Sequence, residues 1–302
     1  MIVVTTPTGN IGQQVLTNLL EEAAPVRVVA RDPTKLPEQT RGRVEVVRGS
    51  HGDADVVARA FEGADAVFWL PPPDYRTPDL AASYLDFTRP ASDIFQRHQS
   101  MRVVGVSALG RGSALARKAG LVSASLAMDD LIAGTGVRYR SLALPSFMDN
   151  LLRQAAAIGS QGVFFLPLDA DRRLPTCATR DIASVATRLL LDTSWSGQDS
   201  VAVLGPEDLS GDDMARIMSE VLARPIRFQS VSDEDFRMTL GRQGMSEAMV
   251  QGMAEMMLAK NSGLDNAEPR TPRADSPTSF RAWCQDVLGP AVSASKEGAA
   301  TP

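Results

Sequence analysis

Histidine and cysteine are nearly missing from this chain, with two of each in 302 residues. Cys177 and Cys284 lie too far apart to make a metal-binding or redox spacing, and both are expected to be idle, buried thiols. His51 and His98 carry no Ser/Asp or Cys partner pattern, which leaves acyl transfer unsupported. There is no His-x-x-x-His and no Cys/His cluster, so no metal is expected. A basic surplus is missing as well. The formal net charge of −5 argues against a nucleic-acid partner, because such proteins carry a basic stripe. No window of about 20 apolar residues offers a membrane span. Met1 stands directly before Ile2-Val3-Val4, leaving no room for the charged region of a signal peptide, so a cytoplasmic protein is expected. No internal repeat is present.

What the chain does have is apolar material in a regular rhythm. Hydrophobic residues make up 44%, enough for one large α/β domain or a main domain with an appendage. Up to residue 145, short β-branched runs alternate with helical patterns. Strands are expected over residues 2–5, 26–30, 44–47, 66–70, 102–106 and 137–144. Helices are expected over 11–22, 53–61 with Asp53 as cap, 78–98, and a stretch ending near Gly134. The strands are apolar throughout rather than half polar, which predicts parallel strands covered on both faces. The expected fold is a doubly wound α/β sheet of Rossmann type with a smaller C-terminal α/β subdomain. After Pro145 the rhythm loosens, with strands at 163–166 and 200–204. Helices follow at 179–191, 211–223, 232–240, 246–260 and 276–288. The domain plan is a dinucleotide-binding core at 1–145, a substrate-side subdomain interleaved with it at 146–290, and a disordered tail at 291–302 rich in Ala, Ser and Gly.

The first strand runs straight into Thr6-Pro7-Thr8-Gly9-Asn10-Ile11-Gly12. Two glycines three apart are an ordinary strand-to-helix turn or a phosphate cradle. Glycine lets the backbone approach a diphosphate, and the helix that follows offers unpaired N–H groups and the positive end of its dipole. Position favours the cradle, because this is the first turn of a chain that keeps alternating strand and helix. The second strand ends Ala30-Arg31-Asp32-Pro33-Thr34-Lys35. Arg31 and Lys35 suit a 2′-phosphate, which favours NADP(H). Asp32 keeps NAD(H) open, unless it merely caps the turn after it.

Here the chain resembles the NmrA-like family, an atypical branch of the short-chain dehydrogenase/reductases. The resemblance runs from Ile2 to about Leu288. It rests on VVTTPTGNIG, on VRVVARDPTKL with RGSHGDADVVARAFEGADAVFWLPPP, on MDDLIAGTGVRYRSLALPSFMDNLL, and on TRDIASVATRLLLD, VAVLGPEDLSGDDMARIMSEVLARPIRF and SPTSFRAWCQDVLG. It implies a Rossmann domain binding NAD(P) and a C-terminal subdomain closing a cleft over the nicotinamide. By resemblance, Thr6, Thr8, Gly9, Asn10, Ile11 and Gly12 form the phosphate turn, and Arg31 and Lys35 meet the adenosine phosphate. Ser50 falls near the adenine, while Leu70, Pro71 and Pro72 line the adenosine side. Ser107 sits beside the nicotinamide, and Phe147, Met148 and Asn150 link cofactor and substrate sites. Three departures stand out: Thr6 replaces the usual first glycine, Ser50 the usual Asp, and Leu142-Ala143-Leu144-Pro145 the usual Leu-Arg-Pro.

The chemistry is marked by another gap. Tyr75, Tyr84 and Tyr139 are the only tyrosines, and none is followed four residues later by lysine. The Tyr-x-x-x-Lys dyad that supplies a proton in related dehydrogenases is therefore missing. Lys118 could reach the nicotinamide ribose or a substrate oxygen, or be a solvated cation beside Arg117. Asp129-Asp130 reads as the polar face of a helix. Met245, Met249, Met253 and Met257 recur every four residues, with Met256 adjacent, giving one thioether stripe that could meet a flat ligand or pack on a core. Met249 and Met253 join Met148 and Asn150 as candidate substrate residues. The expected function is an NAD(P)H-dependent oxidoreductase passing hydride to a quinone or polycyclic aromatic molecule, as monomer or homodimer. A tailoring oxygenase or reductase of an aromatic natural product is the second reading, and a non-catalytic redox sensor that binds a regulatory partner is the third.

Overall fold

The computed structural model describes residues 1–270 and 276–299. In chain order the first half runs β1 (Ile2–Val4), α1 (Asn10–Glu21), β2 (Val26–Ala30), α2 (Glu38–Arg41), β3 (Glu45–Arg48), α3 (Ala54–Phe61), β4 (Ala66–Trp69), α4 (Leu80–Arg97), β5 (Arg102–Ala108), α5 (Leu121–Ala133) and β6 (Arg138–Leu144). The second half runs β7 (Ser146–Phe147), α6 (Ala155–Gln161), β8 (Val163–Leu166), β9 (Leu174–Cys177), α7 (Thr179–Leu191), β10 (Gln198–Ala202), β11 (Asp208–Leu209), α8 (Gly211–Val221), β12 (Arg227–Ser230), α9 (Asp233–Arg242), α10 (Glu247–Asn261), α11 (Phe280–Trp283) and α12 (Gly289–Ala299).

Seven strands form one sheet in the order β10-β6-β5-β4-β1-β2-β3. The pairs around its centre are parallel, with Ile2 beside both Val26 and Ala66, and Val67 beside Val103. This is the Rossmann arrangement expected from the uninterrupted apolar strands, since Val3, Val28, Val67 and Val103 are fully buried. The chain winds from β1 outward through β2 and β3, then crosses back to β4 and continues to β6. The order thus reverses between β1 and β4, and such a switch point opens a crevice beyond the carboxyl ends of its two strands. Phe61, Trp69, Phe95, Met128 and Ile132 pack on one side of the sheet. Each such side chain contributes about 1.5–3 kcal/mol by leaving water.

Two compact units make up the chain. One comprises Met1–Ala108, Leu121–Ala143 and Ile182–Val201, and the other Leu109–Gly120, Leu144–Asp181 and Ala202–Pro302. The division differs from a cut at residue 145, because β6 and α7 carry the chain from one unit to the other. The second unit holds the sheet β11-β9-β7 and the pair β12-β8. Its core gathers Met148, Ile158, Phe164, Met218, Trp283 and Leu288.

Two expectations for the C-terminal end are corrected. The helix expected over 276–288 does not begin at Ser276. The Ser276 and Thr278 hydroxyls donate to the buried Asp181 carboxylate at 2.6 and 2.7 Å, which holds this stretch extended until Ser279 caps α11. A π-turn over Cys284–Leu288 then leads into α12. The tail expected to be disordered from Ala291 is helical through Ala299, with Val292 buried and within reach of Gly159 on α6. Residues 300–302 lie outside the described residues.

Candidate functional site

β1 delivers Thr5 and Thr6 to the switch point. Thr5 is buried; its hydroxyl donates to the Phe68 carbonyl at 2.8 Å and accepts the Leu70 N–H at 3.0 Å, tying the ends of β1 and β4 together. Thr6 adopts φ +51, a left-handed conformation that costs a non-glycine residue about 1–2 kcal/mol. Its hydroxyl donates to the Leu70 carbonyl at 2.6 Å, which offsets part of that strain. The Gly9 N–H closes the turn on the Thr6 carbonyl at 3.0 Å.

α1 begins at once after Gly9. Its first internal bond runs from the Gln13 N–H to the Gly9 carbonyl at 2.9 Å, so the amides of Asn10, Ile11 and Gly12 precede it. No side chain caps this end and its first turn holds no acidic residue, leaving the amides and the helix dipole for an anion. A Cβ on Gly12 would drive into the Thr6 carbonyl oxygen, and one on Gly9 would lie 2.9 Å from the Thr6 methyl. The close approach of α1 to the turn therefore requires glycine at position 12, while at position 9 the Thr6 methyl would have to give way. The cradle fits the diphosphate of a dinucleotide, with Thr8 and Asn10 exposed at its rim.

Beyond β2 the charges sort themselves. Asp32 accepts from the Thr34 N–H at 3.1 Å and the Thr34 hydroxyl at 2.6 Å, capping a 3-10 turn over Pro33–Lys35. Those bonds, with Lys35 and Arg48 nearby, hold its carboxyl below the usual carboxylate range. One of its carboxylate oxygens is thus held by its own turn. Arg31, Lys35 and Arg48 are all exposed. The sequence reading missed Arg48; the parallel register that sets it beside Ala30, the residue before Arg31, is what brings it here. Ser50 accepts the Gly52 N–H at 3.2 Å and so shapes the β3–α3 loop.

The same loop carries His51, a buried imidazole whose Nε2–H donates to the Leu70 carbonyl at 3.0 Å. Its ring meets Trp69 and Phe87 edge to face at 5.2 and 4.7 Å. Burial in this aromatic box lowers its pKa to about 4, so the ring is neutral near pH 7. One carbonyl thus receives both the Thr6 hydroxyl and His51. Leu70 and Pro72 are half-buried and Pro71 is buried in the segment that follows.

At the carboxyl end of β5, Ser107 is buried and donates to Asp129 at 2.5 Å. The Asp129 carboxylate also accepts from Tyr139 at 2.6 Å and Ser141 at 2.7 Å, and Ser125 donates to Ser107 at 3.4 Å. Only Asp130 faces solvent, so the reading of Asp129-Asp130 as one polar face is corrected for Asp129, which is 2% exposed. Periodicity carried the signal: Gly105/Ser107 and Tyr139/Ser141 are i, i+2 pairs on strands, and Ser125/Asp129 an i, i+4 pair on a helix. Gly105 belongs to the set because a Cβ there would collide with the Tyr139 hydroxyl.

The remaining candidates lie in the second unit. Lys118 is exposed on a 3-10 helix over Ala114–Lys118. Phe147 is half-buried, pairing with Cys177 where β7 meets β9, and Asn150 is exposed. Met148 and Met249, expected on the substrate side, are buried at 2% and 4% exposure, Met148 within the core of its unit. Met253 and Met256 are half-buried, whereas Met257 lines a groove of about 280 Å³ with Pro167, Val231 and Leu258.

Residues 7–193 match the NAD(P)H-binding family. A (4-alkanoyl-5-oxo-2,5-dihydrofuran-3-yl)methyl phosphate reductase of Streptomyces griseus is 30% identical over 293 residues, spanning 94% of this chain and 96% of its own. An NAD(P)H azoreductase of Xenophilus azovorans is 27% identical over 85% of this chain and 86% of its own. Quinone oxidoreductase 2 of Escherichia coli is 20% identical over 87% and 89%. A crystal structure of an NADPH-dependent quinone oxidoreductase from that organism, complexed with NADPH, shares the fold at a TM-score of 0.72 and 18% identity, covering 97% of this chain and 99% of that one. With the family match spanning more than half of its length, from the phosphate turn through α7, this chain belongs to the NAD(P)H-binding family.

Proposed function

We propose that this protein is an NADPH-dependent reductase that passes hydride to an electron-poor conjugated acceptor, a quinone or an extended aromatic molecule, without lending a proton donor of its own. The observation that supports it most is the α1 cradle, whose free amides and paired glycines suit a diphosphate. Arg31, Lys35 and Arg48 favour NADPH over NADH, since guanidinium and ammonium groups grip a 2′-phosphate. Asp32 gives one carboxylate oxygen to Thr34 as the cap of its own turn. When bound, the nicotinamide supplies the hydride.

The relatives' names share one chemical property. A butenolide flanked by carbonyl groups, an azo bond and a quinone each accept hydride at an atom conjugated to an electron-withdrawing group. The charge then spreads over the substrate, and water can deliver the proton afterward. A site without Tyr-x-x-x-Lys, whose Ser107 proton is already held by Asp129, suits such acceptors. Phe147, Asn150 and Met253 are assigned to the substrate side, and no step is assigned to Lys118. The test is NADPH oxidation followed at 340 nm against naphthoquinones, azo dyes and an alkanoyl butenolide. Oxidation with one class and not the others identifies the acceptor. Tight NADPH binding with no oxidation by any of them overturns the catalytic reading in favour of a sensor.

A further inference from the structure

We propose that Asp129 is a positioning residue that fixes the polarity of the Ser107 hydroxyl, so that Ser107 meets a ligand as a hydrogen-bond acceptor and not as a proton donor. The proposal rests on the reading of β5's carboxyl end as the nicotinamide side of the cofactor site. A carboxylate can only accept, so the hydroxyls of Ser107, Tyr139 and Ser141 all turn their single protons toward Asp129. Ser107 then has no proton left to give, and what it can show the crevice is a lone pair. The four hydroxyls and the carboxylate are each less than a tenth exposed. The short 2.5 Å bond to an anion also makes the Ser107 oxygen richer in electron density and a better acceptor. Its natural partners are the N–H and O–H donors of a nicotinamide riboside.

Asp129→Asn tests this directly. The amide must place an N–H among the three hydroxyls, and where it faces Ser107 it reverses that hydroxyl's direction. Calorimetric NADPH affinity is measured for wild type, Ser107→Ala, Asp129→Asn and the double variant, with Tm for each. Each single variant is expected to weaken NADPH binding about tenfold. The double variant is expected to stay within about twofold of Ser107→Ala, because Asp129 acts on the ligand only through Ser107. A purely structural role would lower Tm without this coupling. Losses that multiply to about a hundredfold in the double variant overturn the proposal, as does Asp129→Asn with wild-type affinity. Ser107→Ala removes one oxygen and decides the matter even if Asp129→Asn does not fold: unchanged affinity there also overturns it. If wild type itself binds no NADPH, both this proposal and the cofactor reading fall; binding without coupling removes the proposal alone.

Discussion

His51 should write a pH signature into the folding stability. Its pKa in the folded chain is about 4, against an ordinary value of 6.5. Between those values the unfolded chain binds a proton that the native state refuses, so stability rises with pH through the window from 4 to 6.5 and is flat above it. A gap of about 2.5 at 1.36 kcal/mol per pH unit gives about 3 kcal/mol. That stabilisation is present in full above pH 6.5 and is lost as the pH falls toward 4. The cause is burial between Trp69 and Phe87, only partly countered by the bond to the Leu70 carbonyl. His51→Gln keeps an N–H donor but cannot titrate. Urea unfolding of both proteins from pH 4 to pH 8 is the assay, read as the difference between the two curves. Groups common to both proteins cancel in that difference. The wild type should lose about 3 kcal/mol more than the variant on going from pH 7 to pH 4. Parallel curves would refute the reasoning.

Gly12→Ala should weaken NADPH binding about a hundredfold or more while leaving the far-ultraviolet circular dichroism of the sheet intact, because its Cβ would meet a backbone oxygen that cannot swing aside; wild-type affinity in isothermal titration would contradict the cradle. Arg31→Ala should lower the ratio of NADPH to NADH affinity about tenfold with little change for NADH, checked by titrating both nucleotides. The thiols should be silent: burial raises Cys177 well above its ordinary value and Cys284 to about 12, so a disulfide reagent should find neither in the native protein and both after guanidinium unfolding.

The Rossmann half was legible because its strands are short, apolar and β-branched, and a parallel sheet covered on both faces demands that composition. β12 escaped notice because Arg227-Phe228-Gln229-Ser230 carries three polar residues and lies largely exposed. β9 escaped because Leu174-Pro175-Thr176-Cys177 holds a proline that reads as a loop. The tail was misjudged by composition: Ala and Ser look solvent-loving until Val292 finds α6. For the site, the glycine spacing and its place between the first strand and the first helix pointed to Gly9 and Gly12, which the structure sets at the start of α1. Asp129 was not legible, since its partners come from two other elements, β5 and β6, and only their joint register reveals a buried carboxylate. Arg48 was hidden for a like reason, because a cation at a strand's end means little until the neighbouring strand is known.

The Leu70 carbonyl has a consequence for how this crevice moves. It is the shared anchor of the phosphate turn, through Thr6, and of the loop after β3, through His51. Three separate segments of the chain are thereby yoked at one oxygen atom, so that the release of one loosens its hold on the others. Local opening here should be a single cooperative event, with the amides of Gly9, Gly52 and Leu70 exchanging their hydrogens at a common rate. A nucleotide that grips the turn would slow all three together.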